Sequence, residues 1–131
     1  MTFHASEVQV VTYCHCSDCK RVTGSPLPAF AAVALDDVKV TPFPGEGRDC
    51  GNGIRRWNCE TCGSPLAATY PYLPGQAYIP LGLIDQAADL APSLHCHADN
   101  ALPWLHQSDN VPRQTGTGRA ILQAPPDSKP S

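Results

Sequence analysis

Cys14-His15-Cys16-Ser17-Asp18-Cys19 places three thiols within six residues, and no other stretch constrains the chain as much. Side chains along an extended strand alternate between faces, so Cys14 and Cys16 share one face and His15 takes the other. A tight turn after Cys16 then returns Cys19 to the same point. Three converging sulfurs offer a soft divalent metal a tripod with a fourth position vacant, the layout of a reactive zinc rather than a closed structural one. Two plainer readings stay open on the residues alone: a reduced cysteine cluster, or three ligands of an ordinary four-ligand knuckle.

A second cysteine group follows at Cys59-Glu60-Thr61-Cys62-Gly63, entered from the strand-like Ile54-Arg55-Arg56-Trp57-Asn58. Two cysteines bracketing a turn, with a glycine to take the positive φ after it, form half of a zinc knuckle. A thioredoxin-like redox pair would need a βαβ context, which the surrounding pattern lacks. The chain has 7 cysteines, an odd number, and five of them sit at metal-type spacing. Both facts argue against a secreted disulfide framework and for a reducing cytoplasm. Cys50 and Cys96, outside the two groups, read as free thiols.

Around these groups the pattern is that of short strands. Glu7–Tyr13 alternates apolar and polar residues into the cluster, and Pro28–Leu35 reads as a more fully buried strand. Val38–Val40, Ile54–Asn58, Pro65–Tyr70, Ala77–Leu83 and Leu94–Ala98 follow, the last with His95 and His97 on one face and Cys96 on the other. Ser17 caps one helical turn that Gly24 and Pro26 end, and Asp85–Leu90 is at most another turn. From Thr115 onward Gly, Pro and polar residues dominate, so the reading is one domain over 1–114 and a disordered tail over 115–131. Short strands, frequent prolines and two cysteine knuckles describe a small all-β fold of antiparallel strands, stabilised by zinc. A formal charge of −3 and a pI near 5.9 leave no basic surface for nucleic acid. The richest apolar run, Ala29–Leu35, is too short to cross a bilayer, and Met1–His4 does not open a signal peptide.

The ordered motifs Cys14-His15-Cys16-Ser17-Asp18-Cys19-Lys20-Arg21 with Gly24, Cys59-Glu60-Thr61-Cys62-Gly63-Ser64-Pro65-Leu66, Gly82-Leu83-Ile84-Asp85, and Pro92–His95 with Pro103-Trp104 resemble those of the glutathione-dependent formaldehyde-activating enzyme family, also called the centromere protein V-like family. The resemblance implies the zinc-pinned β-tent fold. It implies a catalytic zinc on Cys14, Cys16 and Cys19, and half of a structural zinc on Cys59 and Cys62. The family's other two structural ligands lie in an N-terminal Gly-x-Cys-x-Cys-Gly segment. Met1-Thr2-Phe3 falls on the Val-x-aromatic ending of that segment, so the reading frame is expected to continue upstream and the first strand to be missing from its sheet.

Three thiolates on zinc leave a net negative site, poor at acidifying water and suited to exchange with an incoming thiol. Addition of glutathione to formaldehyde, or its reversal as a carbon–sulfur lyase, fits such a site. Lys20, Arg21 and Arg55 are candidates for the carboxylates of glutathione. His15, His95, His97 and His106 are candidates to line the site, and the resemblance favours His95. Trp57 and Trp104 read as core. The competing reading is a non-catalytic zinc module for a protein partner, in which Cys16, Cys19, Cys59 and Cys62 close a single site and Cys14 is spare.

Overall fold

A computed structural model describes residues 2–125. Nine strands, β1 (Thr2–His4), β2 (Val10–Cys14), β3 (Ala29–Ala34), β4 (Lys39–Thr41), β5 (Arg48–Asp49), β6 (Arg55–Asn58), β7 (Pro65–Thr69), β8 (Gln76–Pro80) and β9 (His95–Cys96), are joined by one two-turn helix, α1 (Ser17–Thr23), and one single-turn helix, α2 (Arg119–Leu122). Seven strands form a sheet in the order β5-β6-β7-β8-β3-β2-β9, and β1 pairs with β4 in a second, two-stranded sheet. The all-β expectation is met, with one departure from antiparallel pairing among the named strands: β9 runs parallel to β2, through Tyr13↔His95 and Cys14↔Cys96. Parallel neighbours need a crossover connection, and here most of the chain supplies it.

β3 is the axis of the large sheet. Its sequence, Ala-Phe-Ala-Ala-Val-Ala, is buried on both faces, with Ala31 and Ala32 sealed from solvent. Side-chain alternation then divides two cores. Phe30 and Ala32 join Val10, Cys14, Ala68, Tyr70, Tyr78 and Leu94 on one face. Val33 joins Ala77 and Ile79 on the other, where Phe3 of β1 and Val38 beside β4 lie against it. The small sheet thus roofs one face, and the cysteine cluster belongs to the opposite one. In the small sheet Thr2, Phe3 and His4 pair with Thr41, Val40 and Lys39. Asp37 fixes this corner by accepting from Ser6 N, Ser6 Oγ and Glu7 N at 2.8–3.2 Å.

The tail expected from Thr115 is a correction. Leu122 on α2 is 2% exposed and belongs to the cysteine-side core. The buried Gln76 side chain donates to Leu122 O at 2.9 Å and accepts from Tyr78 Oη and Gln123 Nε2. Residues 112–116 also bond the backbone of β9 and His97. Low local propensity was overridden by tertiary burial, and the folded body runs through this segment. Residues 126–131 lie outside the described part of the chain.

Candidate metal centre

β2 delivers Cys14 to the cysteine-side core, and Cys16 ends the extended segment at φ −65° and ψ 152°. Cys16 rather than Ser17 is the N-cap of α1: its Sγ accepts from Cys19 N at 3.3 Å. One helical turn then carries Cys19 back over the strand end, and Gly24 closes α1 in the left-handed conformation, φ 71°. The three Sγ atoms lie within 4.8 Å of one another. Sulfurs around a tetrahedral zinc with bonds of about 2.3 Å stand about 3.8 Å apart, so small side-chain adjustments would close the tripod.

The free thiols already polarise one another. Hydrogen bonds from Cys14 and Cys19 pull the Cys16 thiol down to about 2. The same contact with Cys16, with burial adding to it, pushes Cys14 up to about 12. Hydrogen bonds with Cys14 and Cys16, then burial, push Cys19 up as well. Negative charge gathers on Cys16 while its neighbours donate to it, and a divalent cation would take the place of those protons. Three converging soft donors, two of them buried, fit zinc.

A cavity of about 70 Å³ opens on the cluster and is lined by Thr12, Ile54, Tyr72, Cys96, His97 and Thr117 among others. Asp18, Phe30, Ile54, Arg56 and Tyr78 are shared with an adjoining groove of about 460 Å³, which also carries Arg21 and Arg48. Arg56 sits over the Tyr70 ring, 5.6 Å from its centroid. Of the three cations expected at the site, only Arg21 faces this groove. Lys20 Nζ donates to Asn100 O, and Arg55 donates to Glu46 O and Gly47 O of the neighbouring loop. Sequence reasoning took Arg55 and missed Arg56 and Arg48. Alternation says that adjacent residues point opposite ways, but only the register with β7 says which one points in.

His15 and His95 lie behind the cluster, not in it. His95 is 1% exposed, stacked on Tyr13 with ring centroids 4.6 Å apart, and its Nδ1 is 2.8 Å from His15 Nε2. Its Nε2 faces the Asp109 carboxylate at 3.2 Å, which Arg113 also contacts at 2.7 Å. A carboxylate only accepts, so His95 Nε2 carries a hydrogen, and the neutral ring's Nδ1 accepts from His15. Burial, then the nearby His95, Lys20 and Arg113, pull the His15 pKa down. Three segments distant in the chain thus brace the strand that delivers Cys14. His106 is exposed. His97, expected beside His95, faces the cavity instead.

Cys59 and Cys62 form the expected turn: Gly63 N donates to Cys59 O, and Cys62 Sγ lies 3.1 Å from Ser64 Oγ. Among the described residues they join no group of three ligand atoms. The single four-cysteine site is therefore not formed, and the sulfur beside Cys16 and Cys19 is that of Cys14. Cys50 is exposed, while Cys96 is buried against Thr12 Oγ1 at 3.2 Å. Trp57 is half-buried with its Nε1 donating to Gly45 O. Trp104, expected in the core, is 63% exposed.

A family model described as glutathione-dependent formaldehyde-activating enzyme matches residues 1–100. No curated protein matches the chain. Among solved structures, a protein from Rhodobacter sphaeroides is similar at 18% identity and a TM-score of 0.45, over 86% of this chain and 90% of that one. No helix among the described residues is long and apolar enough to cross a membrane.

Proposed function

This chain belongs to the glutathione-dependent formaldehyde-activating enzyme family, and we propose that it is a zinc-dependent carbon–sulfur lyase that adds glutathione, or a similar small thiol, to formaldehyde or another small aldehyde. The observation that carries the reading is a three-sulfur tripod, with Cys14 and Cys19 buried and Cys16 half-buried, whose cavity continues into an arginine-bearing groove. Cys14, Cys16 and Cys19 would hold the zinc, and Cys59 and Cys62 half of a second, structural site. Zinc held there would favour the thiolate form of an incoming thiol at neutral pH.

The chain's own residues do the rest. Phe30, Ile54, Tyr70 and Leu122 wall the cavity with largely apolar surface beside the sulfurs. Arg21, Arg48 and Arg56 line the groove at which the carboxylates of a glutathione-like thiol would dock. A reducing cytoplasm keeps both the ligand cysteines and such a thiol in working form. The folded unit read as 1–114 works with residues 115–125 as a closing wall of its site.

The test compares the rate of thiol–aldehyde equilibration with zinc-loaded protein, zinc-free protein, the Cys16→Ser variant and no protein. The zinc form alone should exceed the spontaneous rate. Equal rates in all four would overturn the assignment.

A further inference from the structure

We infer that His97 is the catalytic acid–base group of this site, passing the proton of the incoming thiol to the oxygen of the aldehyde; the inference rests on the thiol–aldehyde reading above. β9 places His95 behind the sheet and Cys96 on the cysteine side, so a continuing strand would return residue 97 to the back. Instead His97 adopts φ 52° and ψ 43°. That single left-handed residue turns the imidazole round into the cavity it shares with Cys14, Cys16 and Cys19.

A non-glycine side chain is strained in this region, and the surroundings hold it there. His97 N donates to Gly116 O at 2.9 Å, Ala98 N to Gln114 O at 2.8 Å, and Asn100 N to His97 O at 3.0 Å. Glycine would make the same turn with less strain, so what the position adds is the ring.

The ring's partner suits proton transfer. His97 Nε2 lies 3.3 Å from Thr117 Oγ1, and a hydroxyl rotates to donate or accept. Thr117 can therefore hold the ring both neutral and protonated. His95, by contrast, has one nitrogen committed to Asp109 and the other to His15. Burial pushes the phenols of Tyr70, Tyr72 and Tyr78, which share the cavity, upward, away from exchange near neutrality. Arg56 stays charged, and Asp18 is exposed.

The step balances without an added reagent. The S–H proton moves to the imidazole, leaving a thiolate. Its electron pair forms the C–S bond as the C=O π bond breaks, and the resulting oxyanion takes the proton from the imidazolium. The product is the neutral S-hydroxyalkyl thioether.

His97→Gly keeps the left-handed turn, and His97→Asn tolerates it while offering no group that ferries a proton near neutrality. Both should bind as much zinc as the wild type, with kcat lower by roughly a hundredfold and KM within about twofold. Added imidazole should restore at least a tenth of the loss in His97→Gly alone. Side-chain NMR of the zinc-loaded protein adds a readout apart from turnover. Glutathione should shift the imidazole signals of His97 and leave those of His106 and His4 in place. Wild-type kcat in zinc-loaded His97→Gly, or His97 signals unmoved by saturating glutathione, would overturn the inference. A shift of His97 with no acceleration by wild-type protein would instead overturn the aldehyde reaction and keep His97 at the bound thiol.

Discussion

Cys16 serves the site twice, as one corner of the sulfur tripod and as the N-cap of α1 through Cys19 N. Serine is a good N-cap in its own right. Cys16→Ser should therefore keep the far-ultraviolet circular dichroism of the wild type while its zinc content falls from one per chain toward none. Loss of helix and metal together would show that the cap, not the ligand, had been tested. Asp109 offers a pH-resolved test at the same scale. Partial burial pushes its carboxyl up, but hydrogen bonds from Val111 N, His95 and Arg113 outweigh it and hold the group below the ordinary 3.8. A depressed carboxyl stabilises the fold fully above its unfolded pKa and loses that contribution as pH falls through the folded one. The gap in denaturation midpoint between wild type and Asp109→Asn should be flat from pH 5 to 7 and narrow below pH 4. A gap that grew on acidification would refute the contact. At this scale the ligands were legible, because C-x-C-x2-C needs only alternation and one turn to converge. His97 was not, since its direction hangs on one positive φ that nothing in Leu94–Ala98 announces.

At the scale of elements, α2 is the instructive case. Gly116, Gly118 and the polar residues around them read as a tail, yet Leu122 closes the cysteine-side core and Gln76 anchors its carbonyl. Local composition reports propensity, and a single apolar side chain with a buried acceptor beside it can override that. Most strands were legible because period-2 patterning and β-branched runs mark them; the parallel pairing of β9 with β2 was not, because register between distant segments leaves no local trace. Leu122→Ala should destabilise the fold by about 2–5 kcal/mol, read as a lower urea midpoint at unchanged slope. Ending the chain after residue 114 should cost at least as much and also expose the cavity that Thr117 and Leu122 line. A truncated chain as stable as the full one would return residues 115–125 to the status of a tail.

For the molecule as a whole, the large sheet keeps its chemistry on one face and its structural roof on the other. β1 and β4 cover Val33, Ala77 and Ile79, while Cys14 and Cys19 are themselves members of the opposite core. Metal at the tripod would thus tie β2 and α1 together from inside that core, whereas the Cys59–Cys62 turn projects from β6 and β7 with Cys62 exposed. Reactivity should map this asymmetry. In zinc-loaded protein, brief alkylation should label Cys50 and Cys62, both exposed, and spare Cys14, Cys19 and Cys96, all buried. The Ser64 hydroxyl beside Cys62 lowers that thiol's pKa, which raises its thiolate fraction and should make it the faster of the two. Intact-mass measurement under native conditions should find one zinc per chain. Chelation should then lower the melting temperature and open Cys14 and Cys19 to the reagent before Cys96, which no metal needs to protect. Two zincs per chain with Cys59 and Cys62 both shielded would overturn the reading of that turn as an unfinished half-site, and would leave the tripod's own assignment to be judged by whether Cys16→Ser removes one of the two.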